Sequence, residues 1–119
     1  MKPTLYIVED DEAVRNSLQT VLEIYGYTVV SFAAGEEFLE RAEMKPSDCV
    51  ILDVNLPGAS GLAVLKRLRD DGNVMAAVVV SGRANNEMRA QAERLGARAF
   101  FEKPIEIDDL VAVINTINK

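Results

Sequence analysis

The sequence contains no histidine, no tryptophan and a single cysteine. Without histidine there is no Ser-His-Asp or Cys-His machinery and no His-ligated metal. One cysteine can form neither an internal disulfide nor a multi-cysteine zinc site. Positive charge is scarce: 13 Lys and Arg face 19 Asp and Glu, a net charge of −6. That balance argues against sequence-independent nucleic-acid binding, which runs on Lys and Arg. No apolar run approaches the roughly 20 residues of a membrane span, and no signal peptide is visible. Glycine and proline number only 7 and 4 and are scattered, so no linker or low-complexity tract divides the chain. What remains is 119 residues, 49% of them hydrophobic, enough for one domain with a real core. The expectation is a soluble, cytoplasmic single domain.

Short apolar runs alternate with longer amphipathic stretches. The runs are Leu5–Val8, Thr28–Phe32, Cys49–Leu52, Ala77–Val80 and Ala99–Phe101. Each is rich in β-branched or aromatic residues. The first, third and fourth are apolar without a break, as in strands buried on both faces. Between them lie helical patterns. Val14, Leu18, Val21, Leu22 and Tyr25 make one helix face, stopped by Gly26. Phe38, Leu39 and Ala42 mark a short second helix, weakly started because Ala34 stands at its N-cap. Leu62, Leu65 and Leu68 mark a third helix, closed by Asp71-Gly72-Asn73. Met88, Ala92 and Leu95 mark a fourth, closed by Gly96, and Ile107, Leu110, Val111, Ile114 and Ile117 a fifth. Strand then helix, five times over, predicts an α/β fold: a five-stranded parallel doubly wound sheet with right-handed crossovers. Cys49 reads as a small buried hydrophobe on the third strand.

Ligands of open α/β sheets lie beyond the carboxyl ends of the strands. The first strand ends in Glu9-Asp10-Asp11, the third in Asp53, the fourth in Ser81 and the fifth in Glu102-Lys103-Pro104. Carboxylates gathered at one spot repel unless a cation joins them. An all-oxygen set selects Mg²⁺, or Mn²⁺. A carboxylate can attack a phosphoryl group, whose charge needs fixed counter-charges. Thus Glu9 and Asp10 could hold the metal, Asp53 could attack, and Ser81 and Lys103 could grip phosphoryl oxygens. Each feature alone has a plainer role. Asp10, Asp11 and Glu12 suit a helix N-terminus; Asp53 could cap a loop; Ser81-Gly82 could be a turn; Lys103 could be solvated. Their joint occurrence at four strand ends favours the functional reading.

The run Val8-Glu9-Asp10-Asp11-Glu12, then Ile51-Leu52-Asp53 with Pro57 and Gly61 following, then Val80-Ser81-Gly82 and Phe100-Phe101-Glu102-Lys103-Pro104, resembles the receiver domain of two-component response regulators. The resemblance spans residues 1–119, and its Phe-Phe-Glu-Lys-Pro ending is similar to receivers of nitrogen-fixation and nitrogen-control regulators. It implies a flavodoxin-like strand order 2-1-3-4-5. It implies Asp53 as phosphoacceptor, and Mg²⁺ held by Glu9, Asp10, Asp53 and the backbone carbonyl of Asn55. Ser81 and Lys103 would bind the phosphoryl group, Phe100 would be the aromatic switch, and Lys103–Pro104 would be a cis peptide bond. The side chains of Asn55 and Arg83 would tune phosphoryl lifetime. A second register, using Asp10 and Asp11, is open; Glu9 and Asp10 are preferred because Arg15 and Gly26 then fall where the family has them. Phe100 lacks the hydroxyl of a tyrosine switch.

The implied function is to accept a phosphoryl group from a histidine kinase or phosphotransfer protein. The surface of the fourth helix, fifth strand and fifth helix would then switch, and a homodimer through that surface is compatible with it. The domain would not be an enzyme beyond assisting its own phosphorylation and dephosphorylation. It would bind no nucleic acid or membrane directly. The rivals are a Mg²⁺-dependent phosphatase of the haloacid dehalogenase type, a non-phosphorylated interaction module and a flavodoxin-like cofactor binder. No output domain follows Lys119, which fits either a stand-alone receiver or a piece of a longer regulator.

Overall fold

A computed structural model describes residues 3–117. Met1, Lys2, Asn118 and Lys119 of the expected domain lie outside the described residues. The elements are β1 (Thr4–Val8), α1 (Glu12–Ile24), β2 (Thr28–Phe32), α2 (Gly35–Arg41), β3 (Cys49–Asp53), α3 (Gly61–Asp70), β4 (Ala76–Ser81), α4 (Asn86–Arg94), β5 (Ala99–Glu102) and α5 (Ile107–Thr116). All strand pairs are parallel, in the order β2-β1-β3-β4-β5. The expected topology is therefore the one found.

Alternation along each strand splits the core in two. On one face Tyr6, Val8, Val50, Leu52, Ala77 and Val79 pack against Phe38 of α2, Leu62, Val64, Leu65 and Leu68 of α3, and Ala92 of α4. On the other, Leu5, Ile7, Cys49, Ile51, Val78 and Val80 meet Leu22 of α1 and Leu110, Val111 and Ile114 of α5. Helices thus cover both faces, and every residue of β3 and β4 is buried. The uninterrupted apolar runs are the strands at the middle of the sheet, as their composition requires.

Local signals account for the helix ends. The Asp11 carboxylate caps α1 by accepting from Val14 N, Ser60 caps α3 through Ala63 N, and Asn85 caps α4 through Met88 N. α2 starts at Ala34 with no side-chain cap, as its sequence indicates. Gly26 and Gly96, at φ 94° and 77°, end α1 and α4 in the left-handed region open to glycine.

The apolar face of α1 is not uniformly buried. Leu22 is fully enclosed, but Val14 is 39% exposed and Tyr25 43% exposed. Leu18 packs against the second core cluster beside Leu22, and the start of α1 lies beside the β5–α5 connection. There Val14, Leu18 and Val21 line an open apolar groove with Pro104, Ile105 and Ile107.

Candidate functional site

The strands themselves deliver the polar groups to one rim. Asp53, Ser81 and Glu102 are the last residues of β3, β4 and β5, with Asp53 in register with Val80 and Ser81 with Glu102. Glu9 follows β1 directly, its N–H donating to Phe32 O at 3.0 Å. Carboxylate oxygens of Glu9, Asp10 and Asp53 lie within 4.8 Å of one another. Glu9 and Asp53 are buried, whereas Asp10 faces solvent.

Lys103 ties the cluster together. Its Nζ donates to Glu9 Oε1 at 2.6 Å and to Asp53 Oδ2 at 2.8 Å. Lys103 N in turn donates to Ser81 O, and the Lys103–Pro104 bond is cis. Asp53 Oδ1 accepts from Asn55 N at 2.9 Å, and Glu9 Oε2 from Asp11 N at 3.3 Å. The acidic group thus has fixed donors on three sides and remains open where Asp10 meets water.

Electrostatics follow from burial and proximity. Burial, then the neighbouring Asp53, pushes Glu9 up to about 7, against the pull of Lys103. Burial also works against the Asp53 anion, but hydrogen bonds from Glu9, Lys103 and Asn55 N outweigh it and hold Asp53 below the usual range. Burial alone would lower Lys103; its two carboxylate partners raise it instead. With all three ionised, two acids and one lysine carry a single excess of negative charge, and the two acids titrate as a pair.

The Asp10–Asp11 register is disfavoured by geometry, because the Asp11 carboxylate is engaged in the helix cap. Ser81 is fully buried, and its hydroxyl is bonded elsewhere than to Asp53. Its Oγ accepts from Arg83 N at 3.0 Å and points toward Met88 Sδ at 3.8 Å. Phe100 is half-buried against the first core cluster. The side chains of Asn55 and Arg83 are exposed at the mouth of the site. Pro57 and Gly61 mark a tight loop: a Cβ at Gly61 would lie 2.2 Å from Asp53 O, so only glycine lets α3 start this close to the acid.

Several site contacts escape a reading of the sequence. Arg15 donates to the carbonyls of Glu9 at 2.8 Å and Asp10 at 3.4 Å, pinning the β1–α1 turn. Glu36 accepts from Ala59 N at 3.1 Å and steadies the β3–α3 loop. Arg15 is legible in hindsight as the cation of an otherwise acidic helix start; Glu36 carries no sequence signal, since its partner is backbone in another loop.

A doubly wound sheet with a three-carboxylate, one-lysine rim defines a class of phosphoryl- or cation-handling α/β proteins. Comparison narrows it. The family model for the response regulator receiver domain matches residues 5–115. The chain is 34% identical over 110 residues to the transcriptional regulatory protein FixJ of Azorhizobium caulinodans, covering 92% of this chain and 52% of that protein. It is 35% identical over 115 residues to the response regulator protein TmoT of Ectopseudomonas mendocina, covering 97% and 52%. The crystal structure of FixJ-N superposes with a TM-score of 0.87 at 30% identity, covering 97% of this chain and 92% of that one. The chain belongs to the response regulator receiver family. It spans about half the length of the curated relatives it matches.

Proposed function

We propose that Asp53 accepts a phosphoryl group from a phosphohistidine on a kinase or phosphotransfer protein. The observation that carries this reading is the Lys103 ammonium, bonded at once to Glu9 and Asp53 at the strand ends. In the transfer, an Asp53 carboxylate oxygen forms a P–O bond as the P–N bond breaks. The imidazole leaves with the electron pair and takes a proton from water. Lys103, already on Asp53, follows the incoming charge and neutralises part of it. Ser81 stands one strand away and supplies a hydroxyl once it turns from Met88. Phe100 is then the side chain that repacks, changing the surface of α4, β5 and α5.

Glu9, Asp10, Asp53 and the Asn55 carbonyl are the groups that would hold Mg²⁺ or Mn²⁺. The fit lies in the donor chemistry: clustered carboxylate oxygens and no nitrogen or sulfur. When bound, the cation neutralises charge on the phosphoryl oxygens. The exposed apolar groove of α1, beside Pro104 and Ile105, opens next to Lys103 and is suited to seat the phosphodonor partner.

The domain, taken as residues 1–119, is read as a cytoplasmic signalling module rather than a turnover enzyme. Among the described residues no helix is long and apolar enough to cross a membrane. The relatives' names speak for control of transcription in a longer protein. Asn55 stands where a haloacid dehalogenase-type phosphatase needs a second aspartate, which disfavours that rival. Incubation with Mg²⁺ and an acyl phosphate tests the reading: the native chain gains one phosphoryl group and Asp53→Asn gains none. Equal labelling of Asp53→Asn would overturn it.

A further inference from the structure

Two consecutive residues of α4 touch the two groups expected to switch. Met88 lies against the Ser81 hydroxyl. Arg89 places its guanidinium carbon 4.7 Å from the centroid of the Phe100 ring, and its Nη2 3.8 Å from Glu102 Oε1. Packing does not demand this. The Arg89 side chain is 45% exposed, and Ala92 is the buried residue of α4. A helix held by so little buried surface is readily displaced, so its surface contacts carry weight. A guanidinium over a ring face is attracted by the ring quadrupole, and its flat shape suits stacking. The Glu102 contact is long and half-exposed; it orients the guanidinium and contributes little alone.

We propose that Arg89 is a positioning residue: it latches Phe100, and α4 with it, in the unphosphorylated arrangement, and so sets how readily the site at Asp53 is occupied. The proposal rests on the receiver reading of Asp53. In the present arrangement the Ser81 hydroxyl is engaged with Met88 and Arg83 N. Phe100 cannot leave Arg89 without forfeiting the cation–π contact. Lacking a hydroxyl, it gains no hydrogen bond in return. The loss therefore falls on the switched state alone, and a contact with unequal strength in two states shifts their populations.

Beryllium trifluoride with Mg²⁺, which occupies a carboxylate as a phosphoryl group does, gives an equilibrium midpoint by NMR titration. Arg89→Ala is expected to lower that midpoint about two- to fivefold, the population change that one surface cation–π contact carries. Arg89→Lys, which keeps charge but stacks less well, should fall between. In a Phe100→Leu background Arg89→Ala should have no effect; should that background not fold, the Arg89 series alone decides. An Arg89→Ala midpoint equal to the native one overturns the latch and leaves the receiver reading standing. An equal drop with and without Phe100 also overturns it, since the effect is then one of net charge. A native chain that takes up no beryllium trifluoride overturns the receiver reading and the latch together.

Discussion

Replacing Lys103 with methionine keeps the stem of the side chain and deletes the charge. Two carboxylates, each with 5% of its side chain exposed, then lose the cation at 2.6 and 2.8 Å. The cost depends on pH, with a sign that can be worked out. Glu9 has its folded value near 7, above its ordinary 4.5. Between those values the folded chain holds a proton that the unfolded chain has released. That contribution to stability is fullest below 4.5 and is lost as pH rises through 7. The Lys103 contribution is of the opposite group type but the same direction, full below its ordinary 10.5 and lost as pH rises from there through its raised value. Asp53 titrates below its ordinary 3.8 and does not enter this window. Without Lys103 the Glu9 value climbs further, so the fall with pH steepens. Near pH 5, with Glu9 neutral, the variant should lose about 1.5–3 kcal/mol, the cost of charged hydrogen bonds. At about pH 8, with both acids forced toward ionisation, the loss should approach about 3–5 kcal/mol. Urea unfolding by circular dichroism in EDTA reads both values, and millimolar Mg²⁺ should recover part of the deficit. A loss under about 1 kcal/mol at pH 8, or one that does not change with pH, would refute the reasoning.

Gly61→Ala drives a Cβ into the Asp53 carbonyl and should destabilise the fold by about 1–3 kcal/mol in the same unfolding assay; an unchanged midpoint would mean that α3 does not start so close to the acid. Cys49 is fully buried, and burial pushes its thiol up to about 12, so alkylating reagents should label it only after unfolding. Rapid labelling of the native chain would show that β3 opens. Glu9→Ala combined with Asp10→Ala should abolish saturable Mg²⁺ binding measured by calorimetry; retained affinity would place the metal elsewhere.

The sheet was legible because its signal is composition over several consecutive residues. Val78-Val79-Val80 and Val50-Ile51-Leu52 have no environment but a strand buried on both faces, and strand order then follows from chain connectivity. The acidic rim was legible for a related reason: strand ends fix where Glu9, Asp53, Ser81 and Lys103 emerge, whatever the loops do. The α1 residues were legible only as a shared side. Periodicity at Val14, Leu18 and Val21 reports that these residues share a side, and cannot tell a side packed on the sheet from one overhanging a groove. The bonds from Arg15 to the Glu9 and Asp10 carbonyls, from Ala59 N to Glu36, and the stacking of Arg89 on Phe100 were out of reach for another reason. Each joins a surface side chain to a group whose position is decided by how neighbouring elements approach, and backbone acceptors leave no trace in residue identity. Where Ser81 points is likewise a matter of state, and no residue pattern encodes a rotamer.

The central claim is chemical: one phosphoryl group on one carboxylate. Borohydride reduces an acyl phosphate and leaves an unmodified carboxylate intact, so it marks the acceptor permanently. After incubation with Mg²⁺ and an acyl phosphate, reduction and peptide sequencing by mass spectrometry should find homoserine at position 53 and nowhere else, and none when Mg²⁺ is chelated. Homoserine at Asp10 or another aspartate in place of 53, the one-carbon-longer 5-hydroxynorvaline at Glu9, or an unmodified chain after full incubation, would contradict the account.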